Sequence, residues 1–209
     1  MSSIEKKKVL FVGAGGTVAE KVLPRLADAY TIVGIAGHRR DLEPYCTEFH
    51  TAELTSDYEH LFEDVLSRHA FHAIVWNAVR YFPAPLLEAS RSDMHIEFDI
   101  AVALPLECLR RAVAHNFKSG GTFIVVTSGL AFSTKPPWGS YSIVKRAQAI
   151  LVEYLAQELS LRHIYPKAIA LGAVERLLPE TLEILFTHAI ENSEPEKILY
   201  QAYGGAHWE

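Results

Sequence analysis

A chain of 209 residues, 49% hydrophobic and 22% charged, is long enough for one substantial core and too apolar to stay disordered. Its net charge of −5, with basic clusters only at Lys6-Lys7-Lys8 and His38-Arg39-Arg40, argues against a nucleic-acid surface, and no apolar run reaches membrane-spanning or signal-peptide length. Cys46 and Cys108 form no ligand or disulfide pattern and the ten histidines no carboxylate-backed pair, so no metal and a reducing cytoplasm are expected.

The first strand is expected at 8–12, followed by Gly13-Ala14-Gly15-Gly16-Thr17-Val18-Ala19 and a helix to about residue 29, bent at Pro24. Glycines there let the backbone approach a pyrophosphate, whose charge is favoured by the free N–H groups of a helix start. The fingerprint is incomplete, with Ala19 in the third glycine's place. A turn without a ligand is the alternative.

A second strand over 31–36 ends at Gly37-His38-Arg39-Arg40-Asp41. Dinucleotide folds usually place an acid at this strand end for ribose hydroxyls, or a basic residue for a 2′-phosphate. Here the basic residues lead and Asp41 comes late. NADP is therefore expected over NAD, with a solvated loop as the alternative reading.

A third, weaker strand covers 48–54 and ends in Glu53-Leu54; an amphipathic helix follows over 57–68. The fourth strand, 73–76, runs into Asn77-Ala78-Val79. A long helix over 95–117 is interrupted at Pro105, and a buried strand over 121–126 leads to Ser128. Next comes a helix over 141–161 that carries Tyr141 and Lys145 one turn apart, on one face. The sixth strand, 167–171, opens onto Gly172-Ala173-Val174. Beyond it, Ser193-Glu194-Pro195-Glu196 looks like the start of a late helix and 204–208 like the stub of a last strand.

A phenol with a pKa of about 10 is a poor acid/base near neutrality, and a neighbouring ammonium would lower that value. Ser128, Tyr141 thirteen positions later and Lys145 four beyond resemble the short-chain dehydrogenase/reductase family. The resemblance implies a three-layer, doubly wound parallel sheet of Rossmann type, one domain over 1–209 with a shortened substrate-lid region. By the same resemblance, Tyr141 is the proton donor or acceptor, Lys145 lowers its pKa and holds the ribose, and Ser128 polarises the substrate oxygen. Asp99 falls where the family has a helical asparagine that holds a relay water; a plain surface aspartate is the alternative. The cofactor would meet Gly13, Gly16, Thr17, Val18, His38, Arg39, Arg40, Glu53, Leu54, Asn77, Ala78, Val79, Gly172 and Val174, besides Tyr141 and Lys145. Departures from the family are Trp76 and Val79 around Asn77-Ala78, Leu171 for proline and Arg176 for threonine.

The function implied is reduction of a small carbonyl compound, or oxidation of an alcohol, with NADP(H), in a homodimer or homotetramer. Tyr81, Phe82, Phe132, Trp138 and Leu177 are candidate pocket walls. A catalytically silent dinucleotide binder is the alternative. Sugar epimerases and dehydratases use the same three residues but usually add a larger carboxy-terminal domain.

Overall fold

The computed structural model describes residues 5–37, 41–54, 58–115, 117–195 and 198–202. Its strands are β1 (Lys8–Val12), β2 (Thr31–Ala36), β3 (Glu48–Thr51), β4 (Ala73–Trp76), β5 (Thr122–Ser128), β6 (Tyr165–Leu171) and β7 (Leu199–Ala202). The helices are α1 (Thr17–Ala29), α2 (Tyr58–Arg68), α3 (Arg91–Phe98), α4 (Leu104–Ala114), α5 (Gly139–Leu159) and α6 (Pro179–Glu191). The strands form one parallel sheet in the order β3-β2-β1-β4-β5-β6-β7.

Alternate side chains of each strand enter opposite cores, because successive Cβ atoms point to opposite faces. Val9 and Phe11 of β1, Val75 of β4 and Ile124 of β5 pack with α1 and α6. Leu10, Val12, Ile74, Trp76 and Phe123 pack on the other face with α2, α4 and α5. With both faces covered, the central strands read as unbroken apolar runs. Among the described residues no helix is long and apolar enough to cross a membrane.

From β1 the sheet grows outward in two directions, through β2 on one side and β4 on the other. The carboxyl ends of β1 and β4, paired through Val12 and Trp76, therefore flank the crevice where such sheets bind ligands.

Four expectations change. The third strand ends at Thr51, leaving Glu53 and Leu54 in the following turn. The long helix is two helices joined by a π-helical turn, Asp99–Ala103. Pro105, in the first turn of α4, has no N–H, so it cannot pair with the Ala101 carbonyl four residues back. The last helix is α6, starting at Pro179 rather than near Ser193. The last strand is β7, which pairs Leu199–Ala202 with Ala168–Leu171 of β6; residues 204–208 lie outside the described residues.

Candidate active site

The glycine loop leaves β1 on two bonds to β2, from Gly13 N and Ala14 N to Ile35 O. Gly13 has φ +90°, and a Cβ there would stand 2.5 Å from Ala78 N. Glycine is needed at that point because the β1 and β4 chain ends nearly touch. Asn77 braces the same loop, its Nδ2 donating to Gly13 O at 3.0 Å. Gly16, by contrast, has room for a Cβ, with no neighbour nearer than 3.5 Å. It is the N-cap of α1 and no side chain caps it, and Thr17 and Val18 of the first turn, whose N–H groups lack a helical partner, line the crevice.

Two cavities meet over this helix start, sharing Gly16, Asn77 and Val79. One, about 380 Å³, is lined by Gly13, Gly37, Glu53, Leu54, Ala78 and Phe82 among others. The other, about 490 Å³, holds Thr17, Val18, Ser128, Tyr141, Lys145, Gly172 and Val174. Both lie in the size range of small-molecule sites. Their joint length, with a helix start at the junction, suits an elongated ligand with a central diphosphate.

Ser128 ends β5, its Oγ accepting from Leu130 N at 3.2 Å, and it lines the same cavity as the Tyr141 phenol. Thr127 Oγ1 donates to Lys145 O at 2.9 Å, tying the strand end to α5. Burial pushes the phenol up to about 12, while the neighbouring Ser128 hydroxyl works the other way. The expected lowering by Lys145 is not realised in this geometry. The ammonium lies over the Tyr141 ring, 5.5 Å from its centroid, and donates inward to Val126 O and Gln148 Oε1, both at 2.9 Å. Burial alone draws Lys145 down to about 7.

The π-helical turn explains that inward hold. With Pro105 unable to bond Ala101 O, the carbonyl accepts from Gln148 Nε2 at 2.8 Å instead. The adjacent Ile100 O accepts from Trp76 Nε1 at 2.9 Å. Both donors are fully buried, so each freed carbonyl is satisfied without water. Trp76, a departure from the family at the sequence level, thus has a structural task.

The remaining candidates divide. Asp99 lines neither cavity; its carboxylate acts on Tyr58 of α2, where it adds to burial in raising that phenol. The π-turn presents one backbone carbonyl, Ala101 O, to α5 and another, Ile100 O, to Trp76 of β4, rather than the Asp99 side chain. His38, Arg39 and Arg40 lie outside the described residues. Of the candidate walls, Tyr81 and Trp138 line the larger cavity and Phe82 the smaller. Phe132 is exposed beneath Arg146, and Leu177 is 4% exposed in the core.

A family profile described as Enoyl-(Acyl carrier protein) reductase matches residues 52–201. The chain belongs to the short-chain dehydrogenase/reductase family. A search of curated proteins finds no significant match. Solved structures of similar fold include the landomycin C-6 ketoreductase LanV with bound NADP and rabelomycin, TM-score 0.82 at 17% identity over 96% of each chain. BdcA in complex with NADPH gives 0.81 at 16%, over 96% of this chain and 94% of that one. An enoyl-[acyl-carrier-protein] reductase (NADH) from Aquifex aeolicus VF5 gives 0.82 at 16%, over 97% of each. At these identities the likeness is one of fold.

Three residues of this short-chain dehydrogenase/reductase escaped the sequence reading. Gln148 was an unremarkable polar position on a helix. Lys21 of α1 donates to Val174 O and Leu177 O, both at 2.8 Å, and so pins the turn after β6. Glu97 of α3 is 1% exposed and accepts from Phe82 N at 2.7 Å. No local motif marks these three, since each is defined by a partner far along the chain.

Proposed function

We propose that this family member is an NADPH-dependent carbonyl reductase, able to run in reverse as an alcohol dehydrogenase. The observation that carries the reading is the meeting of Ser128, Tyr141 and Lys145 in a cavity that also contains the uncapped start of α1. Gly16 and the N–H groups at Thr17 and Val18 would hold the pyrophosphate, and Asn77 keeps that loop in shape. Glu53 and Leu54 would meet the adenosine end, with His38, Arg39 and Arg40 at the 2′-phosphate. Gly172 and Val174, on a turn pinned by Lys21, would flank the nicotinamide. LanV and BdcA, both solved with this type of cofactor, support the choice of NADP(H).

The bound dinucleotide supplies a hydride; the chain's own residues manage the oxygen. Ser128 holds the carbonyl oxygen by a hydrogen bond. Tyr141, held protonated by its burial, gives its proton to that oxygen as charge develops, a form of catalysis typically worth about 10²–10⁴-fold. Lys145 must turn from Gln148 toward the crevice to serve phenol and ribose together. NADPH titration followed by turnover on ketones and aldehydes tests the reading.

One observation favours a second reading, a silent dinucleotide binder: the ammonium is turned inward and does not lower the phenol. In that case NADPH binds and no carbonyl is reduced.

We also propose a homodimer or homotetramer in a reducing cytoplasm. Ile143, Ile150 and Tyr154 stand exposed at helical spacing along α5, and Cys46 and Cys108 are unpaired.

A further inference from the structure

Two segments that leave adjacent strands are joined beside the phenol. Residues 77–89 follow β4, and residues 129–138 follow β5. Ala84 and Trp138 form an isolated parallel β-bridge, and Ala84 N donates to Pro137 O at 3.2 Å. The first segment is held from beneath as well, since the buried Glu97 carboxylate accepts from Phe82 N at 2.7 Å. Farther along, Leu86 packs against Gly139 at the first turn of α5, where an added Cβ would come within 3.1 Å of it.

These ties fix two rings, Tyr81 and Trp138. Their centroids are 5.4 Å apart, and those of Tyr81 and Trp138 lie 5.7 and 5.8 Å from that of Tyr141. Tyr81 is nevertheless 49% exposed, and both rings line the larger cavity with Val79 and Leu130. An exposed aromatic surface held rigidly beside a proton donor is a surface built to be covered. The charged side chains around this cavity, among the described residues, are Lys135, Lys145 and Glu175. Lys145 is turned inward, and the other two have opposite signs, so the cavity does not select an anionic substrate.

We propose that the substrate is an aryl ketone, a planar carbonyl compound whose ring lies against the Tyr81–Trp138 wall and whose oxygen reaches Tyr141 and Ser128. This rests on the reductase reading. In the step itself the carbonyl carbon receives the hydride of NADPH, which leaves as NADP⁺. The carbonyl oxygen takes the Tyr141 proton, giving the secondary alcohol, and solvent returns a proton to the phenol.

A matched pair of ketones tests the wall: 1-tetralone and its saturated counterpart trans-1-decalone share a bicyclic skeleton and differ in one aromatic ring. For wild type, kcat/KM should favour tetralone. Trp138→Leu and Tyr81→Leu should each cut that preference about 2- to 10-fold, the range of one aromatic pair contact. Trp138→Phe, which keeps a ring, should keep most of it and controls for damage to the fold. Equal kcat/KM for the two ketones, or a preference that these variants leave unchanged, overturns the aryl-ketone assignment and leaves the reductase reading standing. Quenching of Trp138 fluorescence, taken as the difference between wild type and Trp138→Phe, reads binding without turnover. If tetralone quenches more strongly than decalone while neither is reduced, the wall is upheld and the reductase reading fails. If neither ketone quenches, the wall is refuted.

Discussion

The Lys145 ammonium lies 2.9 Å from Gln148 Oε1, and the Gln148 amide in turn donates to Ala101 O, the carbonyl that Pro105 leaves without a helical partner. A proline on one helix thereby sets the resting position of a lysine on another. Gln148→Met keeps the volume but orphans Ala101 O and takes one acceptor from a buried ammonium. Such losses cost about 1–3 kcal/mol. The variant should unfold at correspondingly lower urea; an unchanged midpoint would show that the bridge is not formed in solution.

Lys145 also gives a pH signature. Burial lowers it from its ordinary 10.5 to about 7. Below about 7 the lysine is charged in both folded and unfolded chains, and the fold bears the full penalty of the buried charge. Between about 7 and 10.5 the unfolded chain binds more protons, so stability rises with pH across that window. The ceiling is about 1.4 kcal/mol per pH unit. Lys145→Met lacks this dependence. Denaturation at pH 7 and pH 9.5 should show wild type gaining on the variant at the higher pH, whereas a constant difference contradicts the assignment.

The glycine loop is best tested at Gly16. At Gly13 any side chain meets the Ala78 backbone and a positive φ, so substitution there damages the fold as well as the site. Gly16→Val should fold normally by circular dichroism yet lose at least about tenfold in dinucleotide affinity, because the added methyls fill the approach to the α1 start. Normal binding would remove the loop from the site.

Cofactor preference should favour NADPH over NADH by roughly tenfold or more, the effect of one or two charged hydrogen bonds to the 2′-phosphate. Arg39→Ala with Arg40→Ala should erase that preference. The Glu53 carboxylate reaches the end of β2, 3.6 Å from where a Gly37 Cβ would stand. Glu53→Gln should therefore increase the preference by removing a negative charge. Fluorescence titration with both dinucleotides measures these ratios, and equal affinities in wild type would refute the assignment of the basic residues.

The sheet was legible because strands covered on both faces must be apolar throughout, as Val9–Val12 and Phe123–Val126 are. Ser128, Tyr141 and Lys145 converge because a strand end and the next helix are close in sequence. What the sequence hid depends on distant partners. The direction of Lys145 follows from Pro105 through Ala101 and Gln148, a chain that no local pattern encodes. Asp99 was placed by register alone, and the π-turn offers the Ala101 carbonyl to α5 instead. The start of α6 has Leu178 as its N-cap and no side-chain cap, whereas Ser193-Glu194-Pro195 imitates a capped start.

The central claim is that Tyr141 transfers a proton to a carbonyl oxygen while NADPH is oxidised. Tyr141→Phe removes the phenolic oxygen and keeps the ring that packs against Tyr81 and Trp138. The measurement is NADPH oxidation, followed by nicotinamide absorbance, for wild type and Tyr141→Phe on ketones the wild type reduces, with NADPH affinity titrated in parallel. Turnover should fall by about 10²-fold or more with affinity near that of wild type. A variant that turns over at the wild-type rate, or a wild type that binds NADPH and reduces no carbonyl, would contradict it.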